Sequence, residues 1–196
     1  MIKIKNRTII FLLGAVLFLA AVNCAVAADF DDGFGQAKKV QGEHFTIYYA
    51  PEVDLGGIIK SLNISPAATL LAPEASKKGN SCEAELACEI EALFLQISDF
   101  LDMHVYSFQG TIKICRDYEH LKKVYAGIYG GELKSYSLYA SASNTIYICP
   151  EYFKQGVVGH EMAHAIISRY FVVQPPERAA EILAGYVEYE LKKSNH

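Results

Sequence analysis

The chain has 196 residues, of which 52% are hydrophobic and 20% charged, enough for one globular domain with a sizeable core. Its 18 basic and 22 acidic residues give a formal net charge of −4, which argues against nucleic acid as a partner. No internal repeat, low-complexity segment or second domain stands out.

In chain order, Lys3, Lys5 and Arg7 make a positive start, and residues 9–22 form an apolar run too short for a comfortable membrane span. Ala25-Val26-Ala27 then has the small-x-small pattern of a signal peptidase site. The expectation is a signal peptide over residues 1–27, cleaved after Ala27 or Ala28, and a single exported domain over 28–196, periplasmic or secreted. Asn23 fits lipoprotein processing at Cys24 poorly, and an uncleaved anchor is the other reading. Cleavage removes three basic residues and no acidic ones, leaving 15 against 22 and a net charge of −7, which also argues against an anionic membrane as partner. Four cysteines remain, Cys82, Cys88, Cys115 and Cys149, an even number that suits two disulfides in an exported chain. Three pairings exist on paper. Cys115 with Cys149 is preferred because each closes a similar strand, and Cys82 with Cys88 follows by elimination.

Residues 29–42 read as a loose polar lead and 44–49 as an aromatic and β-branched strand stopped by Pro51. A short helix is expected over 54–62 and a long loop over 63–81, where Asn63-Ile64-Ser65 would accept a glycan only in a eukaryotic secretory path. Leu86, Ile90, Leu93, Phe94, Ile97, Phe100 and Leu101 recur at helical spacing, giving an amphipathic helix over 83–103 with Ser81 as N-cap. A strand over 111–115 and a helix over 117–127 follow, the latter capped by Asp117 and broken by Gly130-Gly131. Residues 135–142 read as an extended edge, 143–144 as a turn, 145–149 as a strand, and helices are placed over 153–170 and 176–192. The order implies an α+β fold in which a small mixed sheet packs against helices.

The chemistry is concentrated in the first of those last two helices, at His160-Glu161-Met162-Ala163-His164. A separation of four residues puts His160 and His164 on one helix face about 6 Å apart, a spacing that lets both imidazoles reach one zinc ion. Glu161 points about 100° around the helix, beside the metal, where it can take a proton from water without being a ligand. A catalytic zinc site normally has three protein ligands and an open position. Glu181, 17 residues beyond His164, is the candidate third ligand, because Leu183, Ala184 and Val187 suggest a mostly buried segment in which a lone carboxylate is costly. The bland alternative pairs Glu181 with Arg178 on a helix surface.

With these residues in view, the chain resembles the gluzincin branch of zinc metallopeptidases, in particular the small peptidase MA-like domains. The likeness is carried by residues 160–164 and by 176–186, which is similar to the family's Glu-Gly-Leu-Ala-x-Tyr segment; fainter echoes extend it over roughly 43–190. The resemblance implies a zincin-like fold with an active-site helix and a C-terminal ligand helix. It implies His160, His164 and Glu181 as ligands of one zinc ion, and Glu161 as catalytic base. Ile182 departs from the small residue that usually follows the ligand glutamate, and Gly185 stands where relatives often carry a carboxylate that orients a ligand histidine. Glu188 or Glu177 would then have to fill that role.

The resulting expectation is an exported zinc metallopeptidase acting on a peptide or protein substrate, with Glu161 as general base. Tyr136, Tyr139 and Tyr186 are candidate donors to the tetrahedral oxyanion, and the edge at 135–142 could receive a peptide by strand addition. His44, His104 and His120 lack ligand-like spacing and read as structural or solvent-facing. The competing expectation is a non-catalytic metallopeptidase-like binding module that recognises an envelope or secreted protein, and a third is a structural domain with an accidental motif.

Overall fold

Alternation of side chains across each strand sorts the residues between two layers. The computed structural model describes residues 30–64, 69 and 81–194, so the signal segment expected over 1–27 and most of the loop expected over 63–81 lie outside the described residues. Asp32–His196 form one compact unit. Its five-stranded sheet has the order β1-β2-β3-β5-β4, built from β1 (Lys38–Gln41), β2 (Phe45–Tyr49), β3 (Gly110–Ile114), β4 (Ser137–Ala140) and β5 (Thr145–Ile148). The central pairs β2–β3 and β3–β5 are parallel, and the flanking pairs β1–β2 and β4–β5 are antiparallel. The α+β expectation therefore holds, with a mixed sheet.

Among the described residues, five α-helices accompany the sheet: α1 (Leu55–Leu62), α2 (Cys82–Leu101), α3 (Tyr118–Tyr129), α4 (Gln155–Tyr170) and α5 (Glu177–Ser194). On one face, Phe45, Ile47, Ile112, Ile114, Ile146 and Ile148 pack with residues of α1, α2, α4 and α5 in the larger core. On the other, Tyr147, Cys115 and Cys149 join Leu121 and Val124 of α3 and Phe34 of the lead in a smaller one. The same alternation places Leu138 and Ala140 of β4 with the smaller core, which leaves Ser137 and Tyr139 on the face of α4.

The caps follow the sequence closely. Ser81 accepts a hydrogen bond from the Ala84 N–H, and Asp117 one from the His120 N–H. Gly130 and Gly131 take φ of +68° and +86°, which is why α3 cannot continue there.

Two expectations need correction. The lead over 29–42 contains strand β1, whose only buried residue is Val40; its charged, edge-exposed sequence carries no alternation to find. The Cys82–Cys88 disulfide is excluded by geometry. Cys82 is the first residue of α2 and Cys88 lies six residues along it, a rise of about 9 Å that exceeds the reach of a disulfide. None of Cys82, Cys88, Cys115 and Cys149 is in a disulfide, so the preferred Cys115–Cys149 bridge is not formed either, although the β3–β5 register, in which Ile114 faces Ile148, continues to Cys115 beside Cys149. Burial raises both of those thiol pKa values, that of Cys149 to about 12.

Candidate metal centre

Helix α4 carries His160 and His164 as a consequence of what its other face must do. Val158, Met162, Ala165 and Ile166 are fully buried in the larger core, so the residues at 160 and 164 turn toward the cleft between α4, α5 and β4. Close seating of α5 depends on Gly159: a Cβ there would meet Leu191 Cδ1 at 2.3 Å and Val187 Cγ1 at 3.7 Å. Helix α5 thereby lies against α4 with Ala184, Val187 and Leu191 buried, and its first turns face the histidines.

The three expected ligands come together. His160 Nε2 and His164 Nε2 are 3.2 Å apart; Glu181 Oε2 lies 3.5 Å from the first and Oε1 3.3 Å from the second. Among the described residues they form the one group able to hold a metal ion. Burial, then the neighbouring His160, lowers the pKa of His164, which favours the neutral imidazole that a metal requires, while Glu181 opposes that shift. The reason first given for Glu181 is overturned: its side chain is 54% exposed, so no buried-charge cost selects it. Position selects it instead. The alternative pairing with Arg178 is not among the salt bridges of the described residues.

Support for His160 comes from Glu188, whose Oε2 is 3.8 Å from His160 Nδ1 and whose Oε1 accepts from Lys192 at 2.7 Å. One further turn along α5 thus supplies the carboxylate that Gly185 does not. Glu177, the other candidate, lines the cleft but makes no salt bridge to either histidine.

Glu161 sits one step around α4 and is only 8% exposed. Ser137 Oγ donates to its Oε1 at 2.7 Å. Burial raises its pKa; the Ser137 hydrogen bond and His160 pull the other way. A carboxyl raised toward neutrality suits a general base.

The cleft encloses about 710 Å³ and is lined by the triad, Glu161, Tyr125, Tyr129, Leu138, Tyr139 and Ile167 among others. Of the three tyrosines expected to act there, only Tyr139 lines it, and its hydroxyl donates to Asn144 Oδ1 at 2.9 Å and lies 2.6 Å from Ser168 Oγ. Tyr136 instead stacks on Tyr152 with ring centroids 3.6 Å apart, and Tyr186 is exposed on α5 away from the cleft lining. Sequence reasoning missed Tyr125 and Tyr129, which α3 brings to the cleft from 30 or more residues upstream of the motif. Burial raises the Tyr129 pKa, with smaller contributions from Tyr125, Tyr139 and Glu161, keeping it a proton donor at neutral pH. His44, His104 and His120 take no part, as expected: His44 pairs with Glu91, His104 lies near Asp99 and Asp102, and His120 bonds the Asp32 carbonyl.

The chain matches no family model, no curated protein and no solved structure.

Proposed function

We propose that this chain is an exported, zinc-dependent metallopeptidase of gluzincin type with a zincin-like fold, acting on peptide or protein outside the cytoplasm. The observation that carries the reading is the convergence of His160, His164 and Glu181, one ligand atom from each lying within 4.8 Å of the others. Tetrahedral zinc with ligand bonds of about 2.0–2.1 Å sets its ligand atoms about 3.3 Å apart, and the two imidazole nitrogens, 3.2 Å apart, meet that spacing, with a different Glu181 oxygen 3.5 Å from one and 3.3 Å from the other. Two imidazoles and a carboxylate also suit it chemically.

Zinc held there would supply a Lewis acid that polarises a scissile carbonyl and makes water acidic. Glu161 accepts the proton of the attacking water and returns it to the leaving amine nitrogen. Glu188 orients His160 through Nδ1 and fixes Nε2 toward the other ligands. Strand β4 ends the sheet beside the cleft, which supports an extended peptide as substrate. Tyr129 lines the cleft with its phenol kept protonated by burial, and it replaces Tyr136 and Tyr186 as the donor to test.

The experiment is cleavage of a generic unfolded protein by the zinc-loaded chain. Hydrolysis abolished in Glu161→Gln with zinc still bound supports the peptidase. Full zinc occupancy without cleavage across a broad peptide library sinks it in favour of the binding module.

A further inference from the structure

Antiparallel pairing decides which groups of β4 meet Glu161. Ser137 faces Ile148 in the register, and the Cys149 N–H donates to the Tyr136 carbonyl at 3.0 Å. Main-chain groups alternate along such a ladder, so those of Tyr136, Leu138 and Ala140 face β5 while those of Ser137 and Tyr139 face the open edge. Side chains alternate as well, and the same two residues turn toward α4. Ser137 is 7% exposed and Glu161 8%, so neither can exchange its partner for bulk water. The Ser137 hydroxyl has one proton, and it goes to Glu161 Oε1 at 2.7 Å.

We propose that Ser137 is a positioning residue for Glu161: its hydroxyl fixes the carboxyl so that Oε1 is anchored to β4 and the other oxygen serves proton transfer in the cleft. This rests on the peptidase reading above. The anchor comes from the strand at whose edge a peptide would be aligned. Base and substrate then share one rigid frame, and a displacement of about 1 Å in such a frame is enough to cost about a hundredfold in rate. A merely structural hydroxyl would stabilise the β4–α4 contact and leave turnover untouched.

The test compares Ser137→Thr, which keeps a hydroxyl, with Ser137→Val, which keeps the shape of threonine and removes it. The substrate is the best-cleaved member of a quenched fluorescent peptide library, used with zinc-loaded protein. Valine is expected to lower kcat about ten- to hundredfold with KM and zinc stoichiometry unchanged, and threonine to restore it to within about threefold of wild type. Equal kcat in Ser137→Val and wild type overturns the proposal, as does a loss that threonine does not rescue. If Ser137→Val does not fold, Ser137→Ala takes its place under the same criteria. Zinc-loaded wild type that cleaves no library member contradicts the peptidase reading instead, and the tie is then judged by melting temperatures of Ser137→Ala, Glu161→Gln and the double variant. Shifts that fall short of additivity support the tie; additive shifts overturn it.

Discussion

Two His–Glu groupings in this molecule use the same chemistry to opposite ends. In one, His44 Nδ1 lies 2.7 Å from Glu91 Oε2, the His44 N–H reaches Oε1 at 2.8 Å, and the imidazole stacks on Phe94; Glu91 is fully buried. Both carboxylate oxygens of Glu91 are engaged by His44, and the pair ties the β1–β2 turn to α2. In the other, His160, His164 and Glu181 stand 3.2–3.5 Å apart around a common point, with the carboxylate half exposed and a cleft in front of them. Short, buried and closed describes a structural pair. Evenly spaced, reachable and convergent describes a set of ligands.

Breaking the cleft grouping should abolish chemistry while sparing the fold. Glu161→Gln is expected to lower hydrolysis by about 10²–10⁴-fold, the usual worth of a general base, with zinc retained and the melting temperature little changed; steady-state kinetics beside metal analysis check this. Glu181→Ala should weaken zinc binding by more than the ten- to hundredfold that loss of an outer partner costs, and Glu188→Gln by about that ten- to hundredfold, both read by competition with a chelating dye. The closed grouping should answer in the opposite way. His44→Ala leaves Glu91 buried without its ring partner and should cost about 3 kcal/mol in urea unfolding, while the zinc affinity of the folded protein stays unchanged.

The smallest effect concerns a carboxylate that belongs to neither grouping. Burial, with Glu85 adding to it, raises Glu89 of α2 to about 7, and its Oε2 is buried without a partner among the described residues. The folded state therefore binds this proton more tightly than the unfolded state, whose pKa is the ordinary 4.5. The penalty for ionising it is absent below pH 4.5, grows as pH rises toward 7 and is fully present above that. Glu89→Gln should accordingly raise Tm by about 3 °C at pH 8 and by almost nothing at pH 4, measured by thermal scans at both values.

Much of the centre was legible because its parts lie on two helices with local signals. The i, i+4 spacing of His160 and His164 depends on nothing beyond α4, and Glu181 and Glu188 fall about one and three turns into α5. Even so, the burial argument for Glu181 is one that the structure overturns, and its true warrant is the packing of α5 on α4, which brings it to both histidines. Groups that arrive from the sheet were harder to see. Ser137 reaches Glu161 only through the β4–β5 register, and Tyr125 and Tyr129 reach the cleft only through the packing of α3. Strand β1 escaped because pairing with β2, and not its own charged sequence, makes it a strand. The Cys82–Cys88 pairing failed for a local reason that was in view: the helix starts at Cys82 itself.

Metal analysis of the purified protein, made in parallel on wild type and Glu181→Ala after exhaustive dialysis against zinc-free buffer, tests the central claim most directly. One zinc ion per wild-type chain, lost in Glu181→Ala, is the expected result. A wild-type chain that holds no zinc, or a Glu181→Ala chain that keeps its full complement, would contradict the centre described here.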